Sequence, residues 1–508
     1  MCIMGTTVKS ILDAGNRAVV IDVECHVSNG LPSILIVGFA NKAVDESKER
    51  IRGAFSSAKI DLPKKRITIN LAPADIPKDS TSFDLPIAVA VMVAGGLIAK
   101  KLPDNTAFIG ELGLDGSVRA VRGIIGKLLA GRAQGFTSFY IPAKNLEQAQ
   151  LVPGITLVAV PKIHDLYLDL TDTLPLKRIE SKPALPQELV HLSEVDFSDI
   201  VGQARAKRAL EIAAAGGHNI LMNGAPGTGK SMLAKAMPAI LPPMGVEEVL
   251  EVTHMHSLAS NEYGQLIIHR PFRAPHHSSS RVSIVGGGQR PKPGEISLAH
   301  HGVLFFDEFP EFSRQTIEAL RQPLEDHVIS VARARDSVTF PANFMLIATS
   351  NPCPCGYYGT NKACTCLPHE IIRYRRKLSG PIIDRIDLYV DVDEVKHDSL
   401  LGSAQAEPST AIQKRVIAAR TKQKHRYKDP LKQNAGLTSR EVKQYIRLSK
   451  DAEVLLNRAA EQLAISARSY MRLLKVAQTI ADLADETTLT SAHISEALQY
   501  RRPTEILV

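Results

Sequence analysis

The chain has 508 residues, of which 44% are hydrophobic and 22% charged, and its formal charge is +8. That length exceeds one ordinary core and predicts about three domains, while the composition excludes a disordered or fibrous protein. Six cysteines, four of them in one short loop, exclude a disulfide scaffold, and the small basic excess permits a polyanionic partner without requiring one.

The opening MCIMGTTVKS lacks a basic start followed by an apolar run, so no secretory signal is expected and the chain is assigned to the cytoplasm. Up to residue 172, β-rich runs at 18–27, 33–37 and 66–70 alternate with helical patterns, one beginning near Asn41 and another at Asp84. The longest apolar stretch, 85–99, is too short to span a bilayer and reads as a buried helix. Between 173 and 196, TLPLKRIESKPALPQE scatters proline and charge in the manner of a linker. Residues 197–395 alternate helices with apolar runs at 218–222, 302–306 and 344–348, which predicts a mostly parallel α/β sheet. The remainder, 396–508, is dominated by helical periodicity, including the basic KRVIAARTKQKHRYKD and amphipathic runs at 452–464 and 470–483.

Within the α/β region, NILMNGAPGTGKSMLAKAM leads from an apolar strand through Gly224, Ala225, Pro226, Gly227, Thr228, Gly229, Lys230 and Ser231 into a helix beginning near Met232. This is G-x-x-x-x-G-K-[ST] in a strand–loop–helix setting. Glycines let backbone N–H groups approach phosphate oxygens, and the helix N-terminus adds the positive end of its dipole. Lys230 is expected on the β- and γ-phosphates and the Ser231 hydroxyl on Mg²⁺. Downstream, GVLFFDE is an apolar strand ending in two acids, Asp307 to hold the Mg²⁺ shell and Glu308 to polarise the attacking water. A third strand, FMLIATS, ends at Asn351, which can orient that water; a turn residue ahead of Pro352 is the competing reading.

These residues in this order resemble an AAA+ module of the magnesium-chelatase-like clade, and nearly the whole chain is similar to the ComM/YifB family of competence-associated ATPases. The strings that carry the likeness are FSDIVGQARAKRALEIAAAGGHNILMNGAPGTGKS, RPFRAPHHSSSRVSIVGGG, RPKPGEISLAHHGVLFFDEFPEF and ATSNPCPCGYYG. The resemblance implies an adenine-side contact at Val201, Gly202 and Gln203, and puts Lys230 and Ser231 on Walker A, Asp307 and Glu308 on Walker B, and Asn351 on sensor 1. LSGPIIDRIDLYV resembles the arginine-finger segment of the clade, which implies Arg385 as a finger lent to a neighbouring subunit, with Arg373 in reserve. SAR at 466–468 resembles the start of sensor 2, implying that Arg468, or else Arg472, reaches the nucleotide from a helical lid. The implied fold is an AAA+ P-loop parallel sheet (197–395) with a C-terminal helical lid (396–508), and the implied assembly is a hexamer. GELGLDGSVRAVRGIIGKLLAG, YIPAKN and PKDSTSFDLPIA make residues 1–172 resemble an α+β Lon-protease-like domain. Ser82 falls near the nucleophile position, but Ile125 stands where the catalytic lysine would be, with Lys127 two residues on, so no peptidase activity is expected.

The loop 353–366 carries Cys353, Cys355, Cys364 and Cys366, four soft ligands that could enclose Zn²⁺, although the spacing is C-x-C rather than C-x-x-C; free or redox-sensitive thiols are the alternatives. For the load on the motor, family likeness implies branch migration on DNA during natural transformation. Arg333 and Arg335, ahead of sensor 1, and Arg373, Arg375, Arg376 and Lys377 are the cations expected to meet phosphates. The alternatives are the ATPase subunit of a metal chelatase, which the Lon-like domain and the cysteine loop argue against, and a nucleotide-switched scaffold, which would not need Glu308 and Arg385.

Overall fold

The β-branched runs near the N-terminus become strands β1 (Thr6–Asp13), β2 (Ala18–Ser28), β3 (Ser33–Val37) and β4 (Arg66–Ala72). The computed structural model describes all residues except 1–5, 14–17, 39–41, 75, 77, 79–80, 183–194, 260–265, 289–290, 333–336, 379, 396–406 and 503–508. The chain divides into two units, one of residues 1–187 and 245–268, the other of 188–244 and 269–508.

In the first unit these four strands join β5 (Thr106–Phe108), β6 (Ser138–Pro142), β7 (Thr156–Val160) and β8 (Arg178–Glu180) in one sheet of order β8-β7-β6-β5-β1-β2-β4-β3. The β1–β2–β4 pairs are antiparallel and the β1–β5–β6–β7 pairs parallel, so the sheet is mixed. The helix α2 (Asp84–Ala94) packs on β1 and β2 and is buried from Asp84 through Met92, and α1 (Ser47–Ser57) packs on α2. The helix expected over 85–99 stops at Ala94, because Gly95 caps it and Gly96 turns left-handed at φ 75°. At its start, the fully buried Asp84 carboxylate is met by Arg50 Nε at 2.6 Å and by the Leu112 N–H at 3.1 Å.

Two expected boundaries change. The linker drawn from residue 173 carries β8, whose Arg178 pairs with the buried Asp169 and hydrogen-bonds the Tyr140 hydroxyl at 2.9 Å. Three residues of edge strand leave too short a pattern for periodicity to register, and the ion pair that holds them is visible only in three dimensions. The helix Val246–Ala259, assigned by sequence to the ATPase core, groups with the first unit, where it packs on α3 (Ile124–Ala133).

The second unit is built on a five-stranded parallel sheet, β9 (Ile220–Asn223), β10 (Phe272–Arg273), β11 (Val303–Phe306), β12 (Met345–Ser350) and β13 (Leu388–Asp391), in the order β10-β11-β12-β9-β13. The interior strands β11 and β12 are buried along their full length, as a parallel sheet covered on both faces requires. Helices α4 (Ala204–Gly216), α5 (Lys230–Ile240) and α6 (Pro368–Arg376) belong to the same unit. The C-terminal helices α7 (Ser409–Tyr427), α8 (Lys450–Gln462), α9 (Ala467–Leu483) and α10 (Ser491–Gln499) share one hydrophobic core with α4, β9 and β12. An antiparallel hairpin, Val328–Ala332 with Ser337–Pro341, stands ahead of β12; Arg333 and Arg335 lie outside the described residues.

Candidate nucleotide site

The parallel register brings three sequence motifs to one edge of the sheet. Asn223 pairs with Ser350 and Phe306 with Ala348, so Gly224, Asp307 and Asn351 leave their strands at nearly the same height. This is the carboxyl edge, where open α/β sheets place ligands. From β9 the loop passes through left-handed glycines at 227 (φ 84°) and 229 (φ 92°) into α5. A Cβ at either glycine would meet nothing within 4 Å, so it is the backbone angle, not crowding, that calls for glycine.

Lys230 is 8% exposed, and its ammonium donates to the carbonyls of Gly224 (2.7 Å) and Ala225 (2.8 Å) and to Asn351 Oδ1 (3.3 Å). Burial pulls its pKa below the ordinary lysine value, against the opposing pull of Asp307 and Glu308. Next along the helix, Ser231 Oγ donates to Asp307 Oδ2 at 2.8 Å. The other Asp307 oxygen accepts from Thr349 Oγ1 at 2.6 Å, and the same hydroxyl accepts the Glu308 N–H at 2.9 Å. Ser231 and Asp307 thus present hard oxygen donors side by side, the chemistry that suits Mg²⁺. Glu308 has a left-handed backbone (φ 51°, ψ 51°), and both acids are exposed at the end of β11.

Sequence reasoning missed Thr349. The strand alternation carries the signal, since Thr349 lies on β12 two residues before Asn351, which follows directly on the strand's end.

In the segment expected to contact adenine, Gly202 (φ 66°) and Gln203 (φ 55°) are both left-handed. The Gln203 amide donates to the carbonyls of Thr228 (3.2 Å) and Asp393 (2.7 Å), tying this turn, with Val201 before it, to the phosphate loop. Met232 is 39% exposed on the first turn of α5. A cavity of about 400 Å³ opens between the loop (Gly224, Ala225, Thr228), the cysteine loop at Tyr358, and Asp391 to Glu394.

Arg385 lies elsewhere. Its carbonyl accepts from Asn219 Nδ2 at 2.9 Å, and Asn219 precedes β9 whereas the phosphate loop follows it. About 16 Å of strand separates the two ends, beyond the reach of an arginine side chain. The guanidinium is 9% exposed and pairs with Glu325. Arg468 also acts on Glu325 electrostatically, and Arg472 donates to the carbonyls of Ile383 (3.2 Å) and Ile386 (2.7 Å). The lid arginines therefore gather at the Arg385 end. Arg468, expected to reach the nucleotide from the lid, lies on the first turn of α9, where Arg472 one turn later faces the segment before β13. Arg373, Arg376 and Lys377 are exposed on and just after α6, and Arg375 stacks on the Tyr358 ring at 5.1 Å.

Ser82, expected near a nucleophile position, is 1% exposed in the 3₁₀ turn Thr81–Phe83. Ile125 is fully buried and Lys127 nearly so on α3.

The four loop cysteines come together. Cys353 Sγ lies 3.3 Å from Cys355 Sγ and 3.7 Å from Cys364 Sγ, and Cys355 Sγ lies 3.5 Å from Cys364 Sγ. Cys366 joins them, and all four sulfurs are mutually within 4.8 Å.

Family models described as magnesium chelatase, subunit ChlI, match residues 196–400, with the C-terminal part of that subunit matching 406–501. A further model, described as subunit ChlI of Mg-chelatase, matches residues 23–145. The competence protein ComM of Haemophilus influenzae is 40% identical over 98% of this chain and 98% of its own length. The uncharacterized protein YifB of Escherichia coli is 40% identical over 97% of this chain and 96% of its own. Lon protease 2 of Herpetosiphon aurantiacus is 27% identical across 32% of this chain and 22% of its own length.

Proposed function

The chain belongs to the ComM/YifB family of magnesium-chelatase-like AAA+ proteins, and on that premise we propose that it is an ATP-hydrolysing ring motor that acts on DNA. The observation that carries the reading is the meeting of Lys230, Ser231, Asp307 and Asn351 at one sheet edge, linked by hydrogen bonds of 2.8 Å (Ser231 to Asp307) and 3.3 Å (Lys230 to Asn351).

In this reading Lys230 exchanges its carbonyl contacts for β- and γ-phosphate oxygens, charge-assisted bonds that are stronger than the ones given up. Ser231 and Asp307 would hold Mg²⁺, which would supply positive charge to the terminal phosphates. Thr349 fixes the Asp307 carboxylate and the Glu308 backbone at once, which aims Glu308 to accept a proton from the attacking water. Asn351 orients the water. Arg385 cannot serve the site of its own chain, so it acts on a neighbour, and Arg468 goes with it. That arrangement needs a closed ring, and a hexamer is the assembly proposed. No peptidase activity accompanies the motor, since Ser82 is buried and Ile125 occupies the place of a catalytic lysine.

The choice of DNA as load rests on the relative named a competence protein and on the basic chain. Branch migration of recombination intermediates during natural transformation is the specific task proposed. No helix among the described residues is long and apolar enough to cross a membrane, and work on DNA puts the proposed site of action in the cytoplasm.

The chelatase subunit description of the matching family models favours a second reading, in which the motor remodels a metal-inserting partner. The N-terminal domain does not separate the two readings, because a ChlI model matches residues 23–145. ATP hydrolysis measured with single-stranded, duplex and branched DNA decides. Stimulation, greatest with branched DNA, is expected; no response to any form sinks the DNA reading.

A further inference from the structure

We propose that Cys353, Cys355, Cys364 and Cys366 bind one Zn²⁺ as a tetrathiolate, and that this metal knot clamps the phosphate loop and sensor 1 together. A tetrahedral zinc site with Zn–S bonds of about 2.3 Å has sulfurs about 3.8 Å apart. The three closest separations here are 3.3, 3.5 and 3.7 Å, and no sulfur has a single exclusive partner. Two disulfides would require such partners. Backbone N–H groups also point at the sulfurs, Cys355 N to Cys366 Sγ and Tyr358 N to Cys353 Sγ, each at 3.3 Å. Such bonds orient and stabilise thiolates around a metal. Binding converts four thiols and Zn²⁺ into a complex of charge −2 and releases four protons to water.

The clamp follows from what the loop touches. Cys353 is two residues beyond Asn351, so fixing its sulfur fixes the end of β12. Between Cys355 and Tyr357, Gly356 turns at φ 85°, and a Cβ there would lie 2.5 Å from Pro226 Cδ in the phosphate loop. Tyr358 continues from this contact to line the cavity beside Gly224 and Thr228. Metal binding therefore holds one side of the nucleotide site against the other. The clamp rests on ATP binding at Lys230; the zinc site does not.

Full-length protein purified from zinc-containing medium tests the metal first, by elemental analysis. About one zinc per chain is expected, replaceable by Co²⁺ with a visible thiolate–cobalt spectrum, and lost in Cys364→Ser and Cys366→Ser. Metal well below one per chain, with the four cysteines disulfide-linked or freely alkylated in the folded protein, overturns the site. The clamp is read by binding of a fluorescent ATP analogue. Chelated protein that stays folded is expected to bind about tenfold more weakly. Gly356→Ala, which keeps all four ligands, is expected to keep its zinc and show a similar loss. Unchanged nucleotide affinity in both overturns the clamp, even with zinc present. Loss of binding in Lys230→Ala with zinc retained separates this proposal from the proposed ATPase itself.

Discussion

Lys230 carries its charge against resistance. Burial disfavours the ammonium, and the carboxylates of Asp307 and Glu308 offset that only in part. A buried cation of this kind gains most when an anion arrives, so Lys230→Ala should weaken ATP binding about 10–100-fold, measured by equilibrium titration. Glu308→Gln should bind ATP as the parent does while turnover falls about 10²–10⁴-fold; near-parental turnover would falsify the role given to that carboxylate. Thr349 makes no contact with the phosphate in this scheme, yet it holds both acids. Thr349→Val should therefore lower kcat about tenfold with little change in KM, since the removed hydroxyl positions groups that act after binding. Steady-state hydrolysis checks both values.

Among the elements, α2 and α1 are joined by the fully buried Asp84 and the 17% exposed Arg50. Burial pushes the Asp84 carboxyl up, and the Arg50 and Ser47 hydrogen bonds oppose it. Arg50→Ala leaves that carboxylate without its cation and should destabilise the first unit by about 3–5 kcal/mol in a urea titration. In the second unit, burial raises Asp196, but donation from Ser198 and Ser409 outweighs it and holds the carboxyl at about 2. The folded pKa is depressed, so the stabilisation is complete above the unfolded value near ~4 and is lost as pH falls toward the folded one. Acid unfolding should show this in the parent protein, and Asp196→Asn should flatten that part of the profile.

At the scale of the whole molecule, the separation of Arg385 from Lys230 by the length of β9 is the ground for the proposal that each active site is divided between two chains. Arg385→Ala and Lys230→Ala should each be inactive alone. Mixed in equal amounts under conditions that exchange subunits, they should recover about a quarter of parental hydrolysis, because one interface in four pairs an intact loop with an intact finger. No recovery on mixing, with mixed oligomers demonstrated, would place the finger elsewhere.

What the sequence determined by itself was which residues stand at the carboxyl edge of the second sheet. The glycine loop, the paired acids and the sensor asparagine each follow an apolar strand, and a parallel sheet must release such strand ends on one side. Helix and strand positions were legible wherever apolar residues recurred over a full element, as in α9 and β4. Short or glycine-ended elements were not: β8 has three residues, and α2 stops at a glycine pair. Tertiary structure alone decided the grouping of Val246–Ala259 with the first unit, the Thr349 bridge, the gathering of Arg468 with Arg385, and the approach of Gly356 to Pro226. The physical reason is common to all four. Each depends on side chains or turns far apart in the chain meeting at a set distance, and periodicity along one segment holds no record of its neighbours in space.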